Sequence, residues 1–151
     1  MWLVSSRPWR NWRGRRSSLT DIITINAWTL NALKTIGVDV YDGLVPGSVP
    51  TSGSYIKPYL AVWTQPLREH LEQPLDYSMQ ETAGALMVTA AGATVGTVRN
   101  LSQEVVRKLH RSPVPGGGEY RHSEPHIPIQ HDDQVSPSRY YLPLTFEFQQ
   151  P

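Results

Sequence analysis

Residues 140–148, near the C-terminus, alternate apolar and polar side chains with the period of two that is typical of a half-buried β-strand. The apolar face consists of Tyr140, Leu142, Leu144, Phe146 and Phe148, so the strand has a core side and an outer side. Pro143 on the other face cannot donate a ladder hydrogen bond, which predicts that the strand lies at a sheet edge or carries a bulge there. Because another subunit can dock on an edge, assembly is the first functional hypothesis.

The length of the chain indicates one domain, and the distribution of its charges indicates a basic N-terminal arm. A chain of 151 residues is long enough to bury a single core. The absence of cysteine excludes disulfides, thiolate nucleophiles and cysteine-based metal sites. The net charge is only +1, but five arginines precede the first acidic residue, Asp21, and residues 17–151 hold nine basic against thirteen acidic residues. No apolar run approaches the roughly 18 residues of a membrane span, so no membrane partner is expected.

Two helices are predicted from apolar spacing. Residues 18–21 have the Ser-x-x-acid form of an N-terminal cap, and Gly37 is a plausible stop. The stripe of this first helix is Leu19, Ile22, Ile23, Ala27, Leu30 and Leu33. The second helix should start near Ala93 and end before Pro113, and its stripe is Val95, Val98, Leu101, Val105 and Leu109.

Short β-prone runs are separated by long loops. Strands are predicted at residues 38–41, 59–63 and 84–91, the second of them central or near-central, and one irregular strand is expected within residues 120–129. Residues 64–82 should form a long excursion with a helical turn near 67–71. The fold class is therefore α/β (α+β): a mixed, mostly antiparallel sheet of about four to five strands packed by two helices, with long assembly loops. The domain spans residues 19–151, after an arm over residues 1–18.

No group of residues points to catalysis, a cofactor or a metal. His122, His126 and His131 precede Asp132 and Asp133, but their spacing fits no closed metal motif, and nearby prolines exclude a helix that would align them. A solvated polar loop is the better interpretation. The glycines of residues 92–96 match no nucleotide fingerprint and are better explained by tight packing between a strand and a helix.

The N-terminal arm combines cations and indoles. Arg7, Arg10 and Arg13 alternate with Trp9 and Trp12, and these residue types are enriched at protein interface hot spots. The same composition suits nucleic-acid binding, although the acidic body would repel a long phosphate backbone. Three interpretations stay open at this point: an assembly arm, a nucleic-acid-binding arm, and an upstream extension without a role.

Three segments, in order, resemble the tail terminator proteins of long-tailed bacteriophages, most closely the versions from phages of actinobacteria. They are Val-Tyr-Asp-Gly followed by Val-Pro within residues 40–46, Lys-Pro-Tyr-Leu-Ala-Val at residues 57–62, and residues 132–146 with Asp-Asp, Ser-Pro and Arg-Tyr-Tyr-Leu-Pro-Leu-Thr-Phe. The resemblance covers about residues 19–148 and rests on the three motifs together, in order and at matching spacing, since any one alone is weak. The Trp/Arg arm and the charged excursion depart from the family pattern.

The resemblance implies a structural virion protein without catalysis. Tail terminator proteins are homo-oligomers that form a hexameric ring. The ring caps the tail tube protein, stops its polymerisation and offers its other face to a head-side neck or stopper protein. DNA passes through the lumen without specific binding. The implied location is the virion, in the tail and neck, after assembly in the host cytoplasm.

The resemblance also implies where contacts lie. Asp132, Asp133 and Arg139 are expected to shape a subunit junction, and the loop near Tyr55 should meet a neighbouring ring. Two alternatives are retained: another neck ring, such as a head-tail stopper or head completion protein, and a nucleic-acid-binding module that uses the arm.

Overall fold

The structure is a computed structural model that describes residues 21–69, 82–123 and 127–151. The predicted arm, with Arg7, Trp9, Arg10, Trp12 and Arg13, lies outside the described residues. So do His126 and the middle of the predicted excursion.

The described residues contain nine strands. They are β1 (Asp39–Asp42), β2 (Thr51–Ser52), β3 (Tyr55–Ile56), β4 (Tyr59–Thr64), β5 (Arg68–Glu69), β6 (Thr82–Gly92), β7 (Arg121–Ser123), β8 (Gln130–Asp132) and β9 (Arg139–Gln150). Seven of them form one sheet in the order β1-β4-β6-β9-β7, and β2 and β3 form a separate hairpin.

The seven strands occupy five positions across the main sheet. β4 and β5 pair with different parts of the same side of β6, and β7 and β8 pair with different parts of the same side of β9. Only β1 and β4 are parallel, and every other pair is antiparallel. The predicted α+β class with a mixed, mostly antiparallel sheet is therefore confirmed. β4 lies between β1 and β6, as expected for a central strand, and four of its residues are buried.

Two helices cover one face of this sheet. The first, α1 (Ile22–Lys34), lies against β1 and β4, and the second, α2 (Val95–Leu109), lies against β6 and β9. The core between the layers includes Leu60, Val88 and Phe146, each at most 1% exposed. The result is a two-layer structure in which the apolar face of each element is buried against the other layer.

The second helix follows its predicted pattern. Thr94 caps its N-terminus by accepting a hydrogen bond from the Thr97 N–H at 3.1 Å. Of the predicted stripe, Val98, Leu101, Val105 and Leu109 are buried, and Val95 is half-buried.

The first helix differs from prediction in its start, and its buried side only partly matches the predicted stripe. Of that stripe, Leu33 is buried and Ile22 and Leu30 are half-buried against the core, while Leu19 lies outside the described residues. Asp21, not Ser18, is the N-cap, and its carboxylate accepts a hydrogen bond from the Thr24 N–H at 2.8 Å. The buried side consists of Ile25, Thr29 and Leu33, spaced four residues apart, while Ile23 is 74% exposed. Apolar residues occur on several sides of this helix, so spacing alone did not select the buried one.

The C-terminal strand is not an edge strand. β9 pairs with β6 along its whole length, in a continuous register from Gln150 opposite Thr82 to Tyr140 opposite Gly92, so there is no bulge. On its other side, β7 and β8 pair with residues 145–147 and 139–141. Pro143 lies opposite the gap between those two strands, where the described residues leave it unpaired, and this is how a proline is tolerated inside the sheet.

One smaller prediction was wrong and another was incomplete. The segment assigned to a helical turn begins as β5, at Arg68–Glu69. The strand expected within residues 120–129 is present as β7, at Arg121–Ser123, and the prediction missed a further short strand, β8, at Gln130–Asp132.

Candidate assembly surface

Four of the predicted interface residues lie at the same end of the main sheet. Asp132 and Arg139 face each other where β8 and β9 begin their pairing, and Asp133 starts the loop that joins the two strands. Tyr55 belongs to the β2–β3 hairpin, which leads into β4 at Tyr59. We call residues 45–56 and 132–139 the loop end of the molecule.

A hydrogen-bond network centred on Arg139 fixes the base of the loop end. Its guanidinium lies 3.2 Å from the Asp132 carboxylate and donates to the Tyr59 hydroxyl at 2.6 Å. The second carboxylate oxygen of Asp132 accepts the Gln134 N–H at 3.2 Å, which orders the start of the loop. The side chains of Arg139 and Asp132 are only 26% and 23% exposed, so solvent screens this pair less than a surface pair. The contacts of Arg139 and Asp132 that the structure shows lie within one subunit, and their predicted role at a subunit junction stays a prediction.

The β2–β3 hairpin is anchored on the sheet face that carries no helix. Ile56 is 4% exposed and packs with Tyr59 and Ala91, while Gly53 turns the chain with a φ of +64° that favours glycine. This anchor leaves the tip exposed, and Tyr55 is 67% exposed there. The hairpin therefore has a fixed base and an exposed aromatic side chain at its tip.

The two loops of the loop end enclose a groove of about 340 Å³. Val45, Val49 and Ile56 line one wall, and Val135, Pro137 and Arg139 line the other. The Ser136–Pro137 peptide bond in this loop is cis. Asp133, the fourth predicted residue, is exposed beside this groove, and its carboxylate accepts a hydrogen bond from the Gln134 side chain at 3.2 Å.

A second groove, which sequence reasoning missed, lies at the other end of the sheet. It has a volume of about 600 Å³, and its lining includes Ile23, Asn26, Asp42, Trp63 and Thr64. We call it the arm-end groove, because α1 begins there. Its residues come from α1, β1 and β4 and from the segments that follow the two strands, and nothing in the local sequence indicates it, because the pattern predicted Ile23 to be buried.

The titratable and aromatic side chains of the described residues form few clusters. They contain no group of three potential metal ligands. His122 lies against the Phe146 ring, and His131 stacks on Tyr140 with ring centroids 4.4 Å apart. The raised pKa of Tyr41 follows from desolvation and then from the nearby Asp39 carboxylate, and this tyrosine packs edge-on against Tyr59 beneath the hairpin. Such a tyrosine stays neutral at physiological pH.

Comparison with known proteins identifies no relative: no protein-family model and no curated protein matches this chain. Within the part of the chain that the structure describes, neither helix is long and apolar enough to span a bilayer.

Proposed function

We propose that this protein is a structural virion protein, a tail terminator whose ring caps the phage tail tube, stops its polymerisation and joins the tube to the head-side neck. The proposal rests on the structure of the loop end. There, the Arg139 network holds two loops on a rigid sheet, and both loops present exposed apolar side chains, Tyr55 and Val135. Loops positioned by a rigid scaffold are where partner contacts concentrate.

A closed ring needs two different surfaces that fit each other, and the two sides of the sheet supply them. Residues 21–42, which form α1 and β1, carry three acidic residues and one basic residue. Residues 95–123, which form α2 and β7, carry five basic and two acidic residues. Because these elements lie at opposite sides of the sheet, the acidic side of one copy faces the basic side of the next in a head-to-tail contact. Contacts of this kind close into a ring when the rotation allows it.

In such a ring the ends of each sheet form the two faces of the assembly. We assign the loop end to the tube protein, since capping a tube requires contacts that are regular around the ring. The acidic balance of residues 17–151 suits a lumen through which DNA passes without being retained.

Two measurements test this function. Light scattering at physiological ionic strength should give six times the chain mass of 17.0 kDa, and the protein should stop polymerisation of the cognate tail tube protein at substoichiometric ratios. Tyr55→Ser should keep the ring and lose the capping, whereas Ile127→Ser, at another exposed apolar residue, should keep both.

A monomer that leaves tube growth unchanged would refute the proposal. A ring that binds the portal-side neck protein instead of the tube protein would identify a head-tail stopper or head completion protein.

A further inference from the structure

The arm-end groove has a polar floor that is already ordered. Thr64 donates from its hydroxyl to the Asn26 side-chain oxygen at 2.6 Å, and the Asn26 amide donates to an Asp42 carboxylate oxygen at 3.0 Å. The two hydrogen bonds hold α1, β1 and β4 together at one corner. The floor thereby places the negative charge of Asp42 in the groove.

The rim of the groove is apolar and exposed. Ile23 is 74% exposed and Trp63 is 40% exposed, although both line the same concave surface. Large apolar side chains gathered around a groove with a carboxylate favour a ligand that combines cations with large apolar groups.

One segment of this chain has that composition. Residues 1–16 contain three tryptophans and five arginines and no acidic residue. Indole rings suit the apolar rim, and a guanidinium can pair with Asp42 or lie over the face of Trp63.

The connection of the chain places this segment beside the groove. The chain enters α1 through Asp21, and the next two residues, Ile22 and Ile23, line the groove. A tether of a few residues gives a local concentration in the millimolar range, so even modest contacts suffice for occupancy.

We propose that residues 1–16 dock into the arm-end groove of their own chain, with tryptophan against Ile23 and Trp63 and arginine against Asp42. This docking goes beyond the proposed function and can be tested on the single chain. The arm's arginines occupy part of the acidic side formed by α1 and β1, so in a ring the docked arm and the basic side of the next copy compete for that side. It covers an exposed apolar surface at the end of the subunit opposite the loop end.

Limited trypsin cleavage of the full-length chain tests the docking, because the arm contains five arginines. Cleavage after Arg10 and Arg13, followed by mass spectrometry, reports how often the arm leaves the groove, whereas the Arg7–Pro8 bond is resistant to trypsin. Ile23→Ser removes the apolar contact, and Asp42→Asn removes the charge while it keeps an acceptor for Asn26. Val135→Ser, at an exposed valine of the loop end, is the matched control.

Cleavage should become roughly tenfold faster in both groove variants, because cleavage follows the undocked population. It should be unchanged in the control, and all melting temperatures should remain close to that of the unaltered chain.

Equal cleavage rates in the unaltered chain and in both groove variants would overturn the docking. So would protection that disappears on dilution, which would indicate an arm from another copy, or protection that appears only with added DNA. None of these outcomes affects the mass or the tube-capping measurements, so the docking and the proposed function can fail separately.

Discussion

At the scale of single residues, a buried hydroxyl pair ties α1 to the segment before β7. Thr29 donates to the Ile25 carbonyl at 2.8 Å, so the 2.7 Å contact between Thr29 and Tyr120 requires the tyrosine to be the donor. Both residues are fully buried, and the Tyr120 ring packs between Trp28 and Phe148. Burial raises the pKa of Tyr120, and its hydrogen bond with Thr29 partly offsets that increase.

This pair makes a double-mutant cycle informative. Thr29→Val should lower the free energy of unfolding by about 1 to 3 kcal/mol, because it leaves the buried Tyr120 hydroxyl without its partner. Tyr120→Phe should cost about 1 kcal/mol, since Thr29 keeps its bond to Ile25. Urea unfolding should show that the double variant is more stable than the two single losses predict. Strict additivity would contradict a direct hydrogen bond.

The N-cap of α1 should make stability depend on pH in the acidic range. The backbone N–H of Thr24, and then its hydroxyl, hold the pKa of Asp21 below its ordinary value of 3.8. Because this pKa is lowered in the folded state, Asp21 stabilises the folded protein above pH 3.8, and this stabilisation is lost as the pH falls through the folded-state pKa. Urea unfolding of the unaltered chain and of Asp21→Asn should therefore differ more at pH 6 than at pH 2. A difference that does not change with pH would show that the charge of Asp21 contributes nothing.

At the scale of elements, β6 and β9 depend on a glycine that the sequence pattern did not single out. Gly84 lies opposite Phe148, and a Cβ at position 84 would come within 2.1 Å of the Phe148 ring. The aromatic ring covers the place where a side chain would otherwise be, so the pair fills one cross-strand position together.

Gly84→Ala should therefore destabilise the protein by about 1 to 3 kcal/mol through overpacking. Adding Phe148→Leu, which shortens the opposing side chain, should recover part of that loss. Ala85→Ser, the adjacent position on the opposite face, is the control and should have little effect on thermal unfolding. If the Gly84→Ala variant has the same melting temperature as the unaltered chain, the Phe148 side chain and Gly84 are not in contact.

The success of sequence prediction varies by element for physical reasons. α2 was predicted well because its apolar residues form one stripe and a threonine caps it. The buried side of α1 was predicted only in part. Leu33 is buried as expected and Ile22 and Leu30 pack against the core, but Ile23 is exposed. Apolar residues occur around much of this helix, and packing against β1 and β4 also buries Ile25 and Thr29. The edge prediction for β9 failed because a proline also fits opposite a gap between two short strands, and strand order is not encoded in local sequence.

At the scale of the whole molecule, one of the two candidate surfaces could be expected from local sequence and the other could not. Asp132 and Arg139 are seven residues apart, so a hairpin could be expected to bring them together. The arm-end groove combines residues 22–26, 42–43 and 62–66, and only the paired strands and the helix above them make it a surface. Long-range contacts of this kind leave little local signal.

Arg111 offers a way to separate assembly from stability across the whole molecule. It follows the end of α2 with a φ of +63°, a conformation that favours glycine, yet a basic side chain occupies the position. Strain that is retained at such a position is a reason to suspect a function for the side chain. In the proposed ring, Arg111 belongs to the basic side that faces the acidic side of the next copy.

Arg111→Gly should therefore keep or raise the free energy of unfolding, by up to about 1 kcal/mol, because glycine adopts this backbone conformation without a steric cost. The same variant should weaken the ring, which light scattering over a dilution series would detect as dissociation at higher concentration than in the unaltered protein. Lys57→Gln removes a positive charge from an exposed position before β4 and should leave the mass unchanged. A stable Arg111→Gly variant with an unchanged ring would place the lateral contact elsewhere. Loss of both stability and assembly would instead show that Arg111 acts within its own subunit.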